Sequence, residues 1–188
     1  MILGIDRLKM AAVAAGVWML AGGTIASAEV VLRGIRWYVV ESTERGRGQR
    51  TEVSSWKESP GLEVRVKPRA VLVVANRGPK AEEGVLLRYA VSGRVARIGD
   101  AGSEGIWTVP FWVEEKRIPV LKSNQTKEIW IEELSLRMRR HLRRLYRAGF
   151  WLKAIKIQIV AEPRQEQSFD ARRILEQELP VDGFPAGG

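Results

Sequence analysis

Two apolar runs separated by a short polar loop constrain this chain more than any other feature: Val71-Leu72-Val73-Val74-Ala75, then Asn76-Arg77-Gly78-Pro79, then Val85 to Val91. Both runs are rich in β-branched residues and the loop holds Gly and Pro, the chemistry of strand, turn and strand. In the second run Val85, Leu87, Tyr89 and Val91 alternate with Leu86, Arg88, Ala90 and Ser92. That is the period of an antiparallel strand with one buried face. The two runs are therefore expected to pair as a central hairpin.

The same period recurs on either side. Val30 to Val40 puts Val31, Ile35, Trp37 and Val39 on one face, and Ile155, Ile157 and Ile159 alternate with Lys156 and Gln158 in a second central strand. Shorter strand signals are Thr51 to Trp56, Leu62 to Val66, Ile106 to Val113, Arg117 to Leu121 and Lys127 to Ile131, with Trp130 covering a sheet edge or meeting the next element. Pro68, Pro110 and Pro119 place their segments at kinks or sheet edges, because proline cannot donate to a ladder. Glu41 to Arg50, with two glycines and no apolar residue, is expected to be a mobile loop. Seven or eight short strands at regular spacing predict a mainly β fold, an immunoglobulin-like antiparallel β-sandwich without the cysteine pair of antibody domains.

From Glu132 to Ala148 the period changes. Leu134, Met138, Leu142 and Leu145 recur at helical spacing, and Gly149 stands where a helix C′ residue belongs. Arg137, Arg139, Arg140, Arg143, Arg144 and Arg147 fill the opposite arc, so one amphipathic helix carries the candidate anion-binding or partner-binding residues. A second, short helix is expected over Ala171 to Leu179, capped by Asp170 and ended by Pro180, followed by a frayed tail. The expected organisation is a signal segment over 1–28, a sandwich over 29–165 that includes helix 132–148, and the C-terminal helix and tail over 166–188.

Arg7 and Lys9 precede an apolar run from Met10 to Leu20, and Ala26-Ser27-Ala28 offers a peptidase small residues. This is the pattern of a secretory signal cleaved before Glu29. Met10 to Ala28 carries no charge, so an uncleaved anchor is the alternative. Cleavage takes the formal charge from +9 to +8, a balance that favours acidic surroundings or partners. An exported chain with no cysteine must hold together by its core alone, which suits a bacterial periplasm or exterior.

Little in the sequence points to catalysis. His141 is the only histidine, and a Ser-His-Asp set would have to use it. Ala101-Gly102-Ser103-Glu104-Gly105 lacks the first glycine of a nucleophile elbow and reads as a polar turn. One histidine and no cysteine exclude a zinc site in practice. Glu82-Glu83, Glu114-Glu115 and Glu132-Glu133 are neighbours whose side chains diverge in extended chain. Trp37, Trp107 and Trp151 belong to strong strand patterns and are assigned to the core, while Trp56 and Trp112 are left open. No catalytic residue, metal or cofactor is assigned.

The stretch from Val71 onward resembles the bacterial cell-adhesion-related, CARDB-like, immunoglobulin-like domains. The residues that carry the resemblance are the apolar strand ending in Asn76-Arg77-Gly78-Pro79, the loop through Ala81, and the strand Val85 to Val91. Ile118-Pro119-Val120-Leu121 through Ile129 looks like the later strand-turn-strand segment of those domains, so the match runs from Leu62 to Pro163. The helix Glu132 to Ala148 is longer than the crossover usual there. The resemblance implies a non-catalytic binding or spacer module at the cell surface or in the periplasm. With the charge, it leads to the expectation of an exported envelope module whose arginines meet an acidic protein, an anionic lipid headgroup or an envelope polymer. A nucleic-acid-binding or anionic polysaccharide-binding protein is the alternative, and the export signal argues against nucleic acid.

Overall fold

The computed structural model describes residues 29–40, 49–61, 67–100, 102–131, 134–162 and 173–183. Their elements are β1 (Val30–Val40), β2 (Arg50–Glu52), β3 (Trp56–Lys57), β4 (Lys67–Asn76), β5 (Glu82–Arg97), β6 (Ile106–Trp107), β7 (Trp112–Leu121), β8 (Thr126–Ile131), α1 (Leu134–Arg147), β9 (Phe150–Ala161) and β10 (Ile174–Asp182). Among the described residues the strands form two sheets, in the orders β2-β1-β4-β8 and β3-β10-β9-β5-β6, with β7 also on β5. Since β9 occupies one flank of β5 from Leu87 to Arg97, β6 and β7 lie end to end along the other. The fold is mainly β. Ile35, Trp37, Leu72 and Ile129 of the first sheet share one core cluster with Leu87, Val91, Ile155 and Ile157 of the second, an arrangement consistent with a β-sandwich.

The alternation that marks β5 and β9 is physical burial. Val85, Leu87, Tyr89, Val91, Ile155, Ile157 and Ile159 are all buried, while Arg88 between them is exposed and pairs with Glu115 and Glu162. In β1 the alternation is interrupted. Its register against β4 slips between Leu32 and Gly34, leaving Arg33 unpaired and exposed. The bulge exchanges faces, so Val30 and Leu32 meet the core before it, and Ile35, Trp37 and Val39 after it. Val31, expected beside Ile35, is buried outside the core cluster.

The two opening runs are strands, but they do not pair. β4 and β5 belong to different sheets, so the loop from Arg77 to Ala81 is an arch between sheets and not a hairpin turn. Asn76, 1% exposed, holds the arch. Its Oδ1 accepts from the Gly78 N–H at 2.9 Å and the Glu29 N–H at 3.1 Å. Its Nδ2 donates to the carbonyls of Lys80 at 2.7 Å and Leu121 at 3.1 Å. Two acceptor lone pairs and two donors are the full capacity of a carboxamide, and all are used.

The expected C-terminal helix is overturned. Ile174–Asp182 is strand β10, antiparallel to β9 from Ile174 opposite Val160 to Pro180 opposite Ala154, so the second sheet continues past residue 165. Leu, Glu and Gln favour helix in isolation, but sheet pairing overrides that preference here. Leu179 and Val181 enter the core cluster and Leu175 packs against it. The polar residue in their alternation, Gln177, uses its Oε1 to accept the Ile35 N–H beside the β1 bulge at 3.0 Å.

Smaller corrections share one cause, which is that periodicity does not name the partner strand. Thr51 to Trp56 is two pieces, β2 on β1 and β3 parallel to β10, and Arg50 opens β2 instead of ending a loop. Trp56 and Trp112 are buried with Trp37 and Trp151, whereas Trp107 lies outside the core with Lys156 Nζ 4.5 Å and the Arg94 guanidinium 5.6 Å from its ring. Trp130, on edge strand β8, packs against Tyr38 at 5.5 Å on the outer face of its sheet. Pro119 is exposed in β7, at an edge as expected. The readings of Met1 to Ala28, Glu41 to Gly48, Leu62 to Val66, Asp170 and the last five residues lie outside the described residues.

Leu87→Ala is expected to cost about 2 to 5 kcal/mol and Arg88→Ala less than about 1 kcal/mol, read by denaturant unfolding. Asn76→Ala, which strands buried backbone groups of three segments, is expected to cost on the order of 2 to 4 kcal/mol by the same measurement. A near-neutral Asn76→Ala would show that the arch is held by other contacts.

Candidate anion-binding face

The helix α1 follows β8 of one sheet, precedes β9 of the other, and packs on β4 and β9. Leu134, Met138 and Leu142 are fully buried in the shared core and Leu145 packs against it. Gly149, at φ 77°, turns the chain out of the helix, where a side chain would be strained. Glycine at position 93 lets β5 lie close to β9 and to the helix. A Cβ on Gly93 of β5 would lie 2.7 Å from Leu152 Cδ1 and 3.6 Å from His141 Nε2.

With one stripe locked inward, the rest of the helix must face out. Arg137, Arg140, Arg143, Arg144 and Arg147 are exposed, and Arg139 is half-buried with its Nε shielded from solvent and without a hydrogen-bond partner. The segment Leu134–Arg147 contains six arginines and no carboxylate. Arg144 and Arg147 lie in the last turn, where cations complement the macrodipole. The other four have no such reason, and their spacing of three and four residues sets like charges side by side at a few tenths of a kcal/mol per pair. On the sheets, ion pairs join Arg36 with Glu128, Arg88 with Glu115 and Glu162, and Lys156 with Glu176 at 3.4 Å.

The structure brings Arg139, Arg140 and Arg143 around one shallow concavity of about 140 Å³, together with Leu136. Arg137, Arg144 and Arg147 do not line it. Leu136, 43% exposed, was not singled out among the candidate residues. Its signal was present in the helical period, because it falls off the buried stripe and on line with Arg140, Arg143 and Arg147.

The remaining candidates do not converge. His141 stacks on Phe111 at 4.0 Å and 10°, and its Nε2 is buried without a hydrogen-bond partner, so no hydroxyl is poised on it. Its pKa is lowered to about 4, first by desolvation and only then by Arg144, rather than by the arginines as a group. Glu114 accepts from Trp112 Nε1 at 3.1 Å and Glu115 pairs with Arg88, so these neighbours diverge. Glu82 is buried while Glu83 beside it is exposed, and Glu132-Glu133 lies outside the described residues. Ser103 Oγ accepts the Gly105 N–H at 3.1 Å within its turn. Among the described residues no three His, Asp or Glu side chains gather as a metal site would need, and no helix is long and apolar enough to cross a membrane. No protein-family model and no curated protein matches the chain.

The lowered pKa of His141 makes stability depend on pH. The unfolded chain takes up this proton near pH 6.5 and the folded chain only near pH 4. Stability from the neutral imidazole is therefore complete above about pH 6.5 and is lost as the pH falls toward 4. The parent should lose on the order of 1 to 2 kcal/mol more than His141→Phe between pH 7 and pH 4, allowing for partial exposure. Urea unfolding at the two pH values reads the difference, and parallel losses would remove His141 as the cause.

Proposed function

We propose that the chain is an exported, non-enzymatic immunoglobulin-like module of the bacterial cell envelope that contacts an acidic partner through α1. The carrying observation is a helix whose apolar stripe is buried in the core while its outward side holds arginines without a carboxylate of its own. Such a face is costly to assemble from like charges and favourable once an anion covers it.

The strand order supports the immunoglobulin-like part of the reading. β1, β4 and β8 follow one another across the first sheet as strands A, B and E do in that fold, and β5, β9 and β10 do so across the second as C, F and G. The likeness to CARDB-like domains draws support from Asn76 and Gly78, whose hydrogen bond helps to form the arch between β4 and β5. Export rests on the sequence of Met1 to Ala28, and the partner class on charge. An acidic protein, an anionic headgroup and an envelope polymer share the acceptor chemistry that guanidinium forks favour.

Intact mass or N-terminal sequencing of exported material should place the mature start at Glu29, and recovery of the full chain in membranes would establish an anchor instead. Replacing Arg139, Arg143 and Arg147 by Gln should leave folding nearly unchanged, since Gln is a comparable helix former. The triple variant should bind anionic vesicles and wall polymer more weakly than the parent, with a flatter dependence on salt. Unchanged binding would reduce α1 to a solvated lid, and preferential binding to DNA would move the protein to the nucleic-acid class.

A further inference from the structure

We infer that the concavity of Leu136, Arg139, Arg140 and Arg143 is a seat for one phosphate group, an inference that rests on the arginine face being a binding surface. The exposed arginines are not equivalent. Arg144 and Arg147 are accounted for by the helix C-terminus, whereas Arg139, Arg140 and Arg143, which share the concavity, precede the last turn. Arg139 is the half-buried member, and its Nε–H has no acceptor. A shielded donor without an acceptor is costly, and an anion seated against the Arg139 side chain brings acceptors to it.

The size and charge of the seat select the ligand class. A volume of about 140 Å³ takes a single tetrahedral anion and not a folded peptide segment. A carboxylate brings one charge and two oxygens to three guanidiniums, whereas a phosphomonoester brings a charge of about −1.5 to −2 and three strong acceptor oxygens. Arginine suits those oxygens because its planar fork binds them in pairs. Leu136 adds the second element of recognition. It is the one apolar residue on the outward line, at the rim of the seat, where the carbon skeleton bearing the phosphate would lie. Free phosphoesters and phospholipid headgroups present this same chemistry.

The test compares two double variants of equal charge in the full chain. Arg139→Gln/Arg140→Gln removes two walls of the seat, and Arg144→Gln/Arg147→Gln removes two cations outside it. Inorganic phosphate is titrated by calorimetry at constant ionic strength set with sodium chloride. Co-sedimentation follows with phosphatidylcholine vesicles made with or without phosphatidic acid. The first variant should lose at least about tenfold in phosphate affinity and the second less than about threefold. Arg139→Lys/Arg140→Lys, which keeps the charge and removes the forks, should fall with the first variant while circular dichroism shows the fold retained. Phosphate binding without vesicle recruitment assigns the seat to a soluble phosphoester, and recruitment lost through the same two arginines assigns it to a lipid headgroup. Equal losses in the two Gln variants would overturn the seat while leaving a diffuse anion-binding face. No binding of phosphate or acidic vesicles by the parent, with wall polymer still bound through the arginines, would also overturn the seat and leave the envelope reading standing.

Discussion

The four hydrogen bonds of Asn76 are the constraint on which the rest of the structure depends. They tie the start of β1, the loop after β4 and the end of β7 to one buried side chain, and so join residues of both sheets at a single point. Without them the run from Val71 and the run from Val85 have every local reason to fold back as a hairpin. With them the chain crosses to the other sheet, and the apolar faces of β4 and β5 meet different neighbours across one core. A buried carboxamide specifies an arrangement in this way because any other path that keeps it from water leaves its donors and acceptors unpaired.

The position of α1 follows from that core. Once Leu134, Met138 and Leu142 are buried, helical geometry leaves no freedom over where the arginines point. The distribution of charge then differs by layer. On the sheets, some cations find carboxylates across strands, as Arg88 does with Glu115 and Glu162. Within α1 there is no carboxylate to find. Packing therefore gathers six of the chain's positive charges on one outward helix face.

Much of the fold was legible where one residue pattern had one physical outcome. The alternation from Val85 to Val91 in β5 and from Ile155 to Ile159 in β9, and the helical spacing of Leu134, Met138 and Leu142, each match burial, and Ser92, expected on the outward face, is the exception at 4% exposed. What could not be read was pairing at a distance. Nothing local says that β4 avoids β5, since the deciding bonds come from Glu29 and Leu121. Likewise the bond from the Ile35 N–H to Gln177, beside the bulge at Arg33, joins segments far apart in the chain and has no local signal. At the candidate site the arginines were legible as a face, but the grouping of Arg139, Arg140 and Arg143 around Leu136 depends on how the half-buried Arg139 lies against its surroundings.

The placement of α1 as the crossing between β8 and β9 also has a mechanical meaning. A ligand that pulls on the outward arginines pulls on a helix continuous with one sheet through β8 and with the other through β9, and packed on β4 of the first and β9 of the second. Traction is therefore divided between the two layers and meets the interlocked side chains of the core in shear. Were the same arginines carried on an edge strand such as β7, tension would open its ladder with β5 one hydrogen bond after another. A ligand held on the crossover would therefore load both layers at once and not the ladder of a single edge strand.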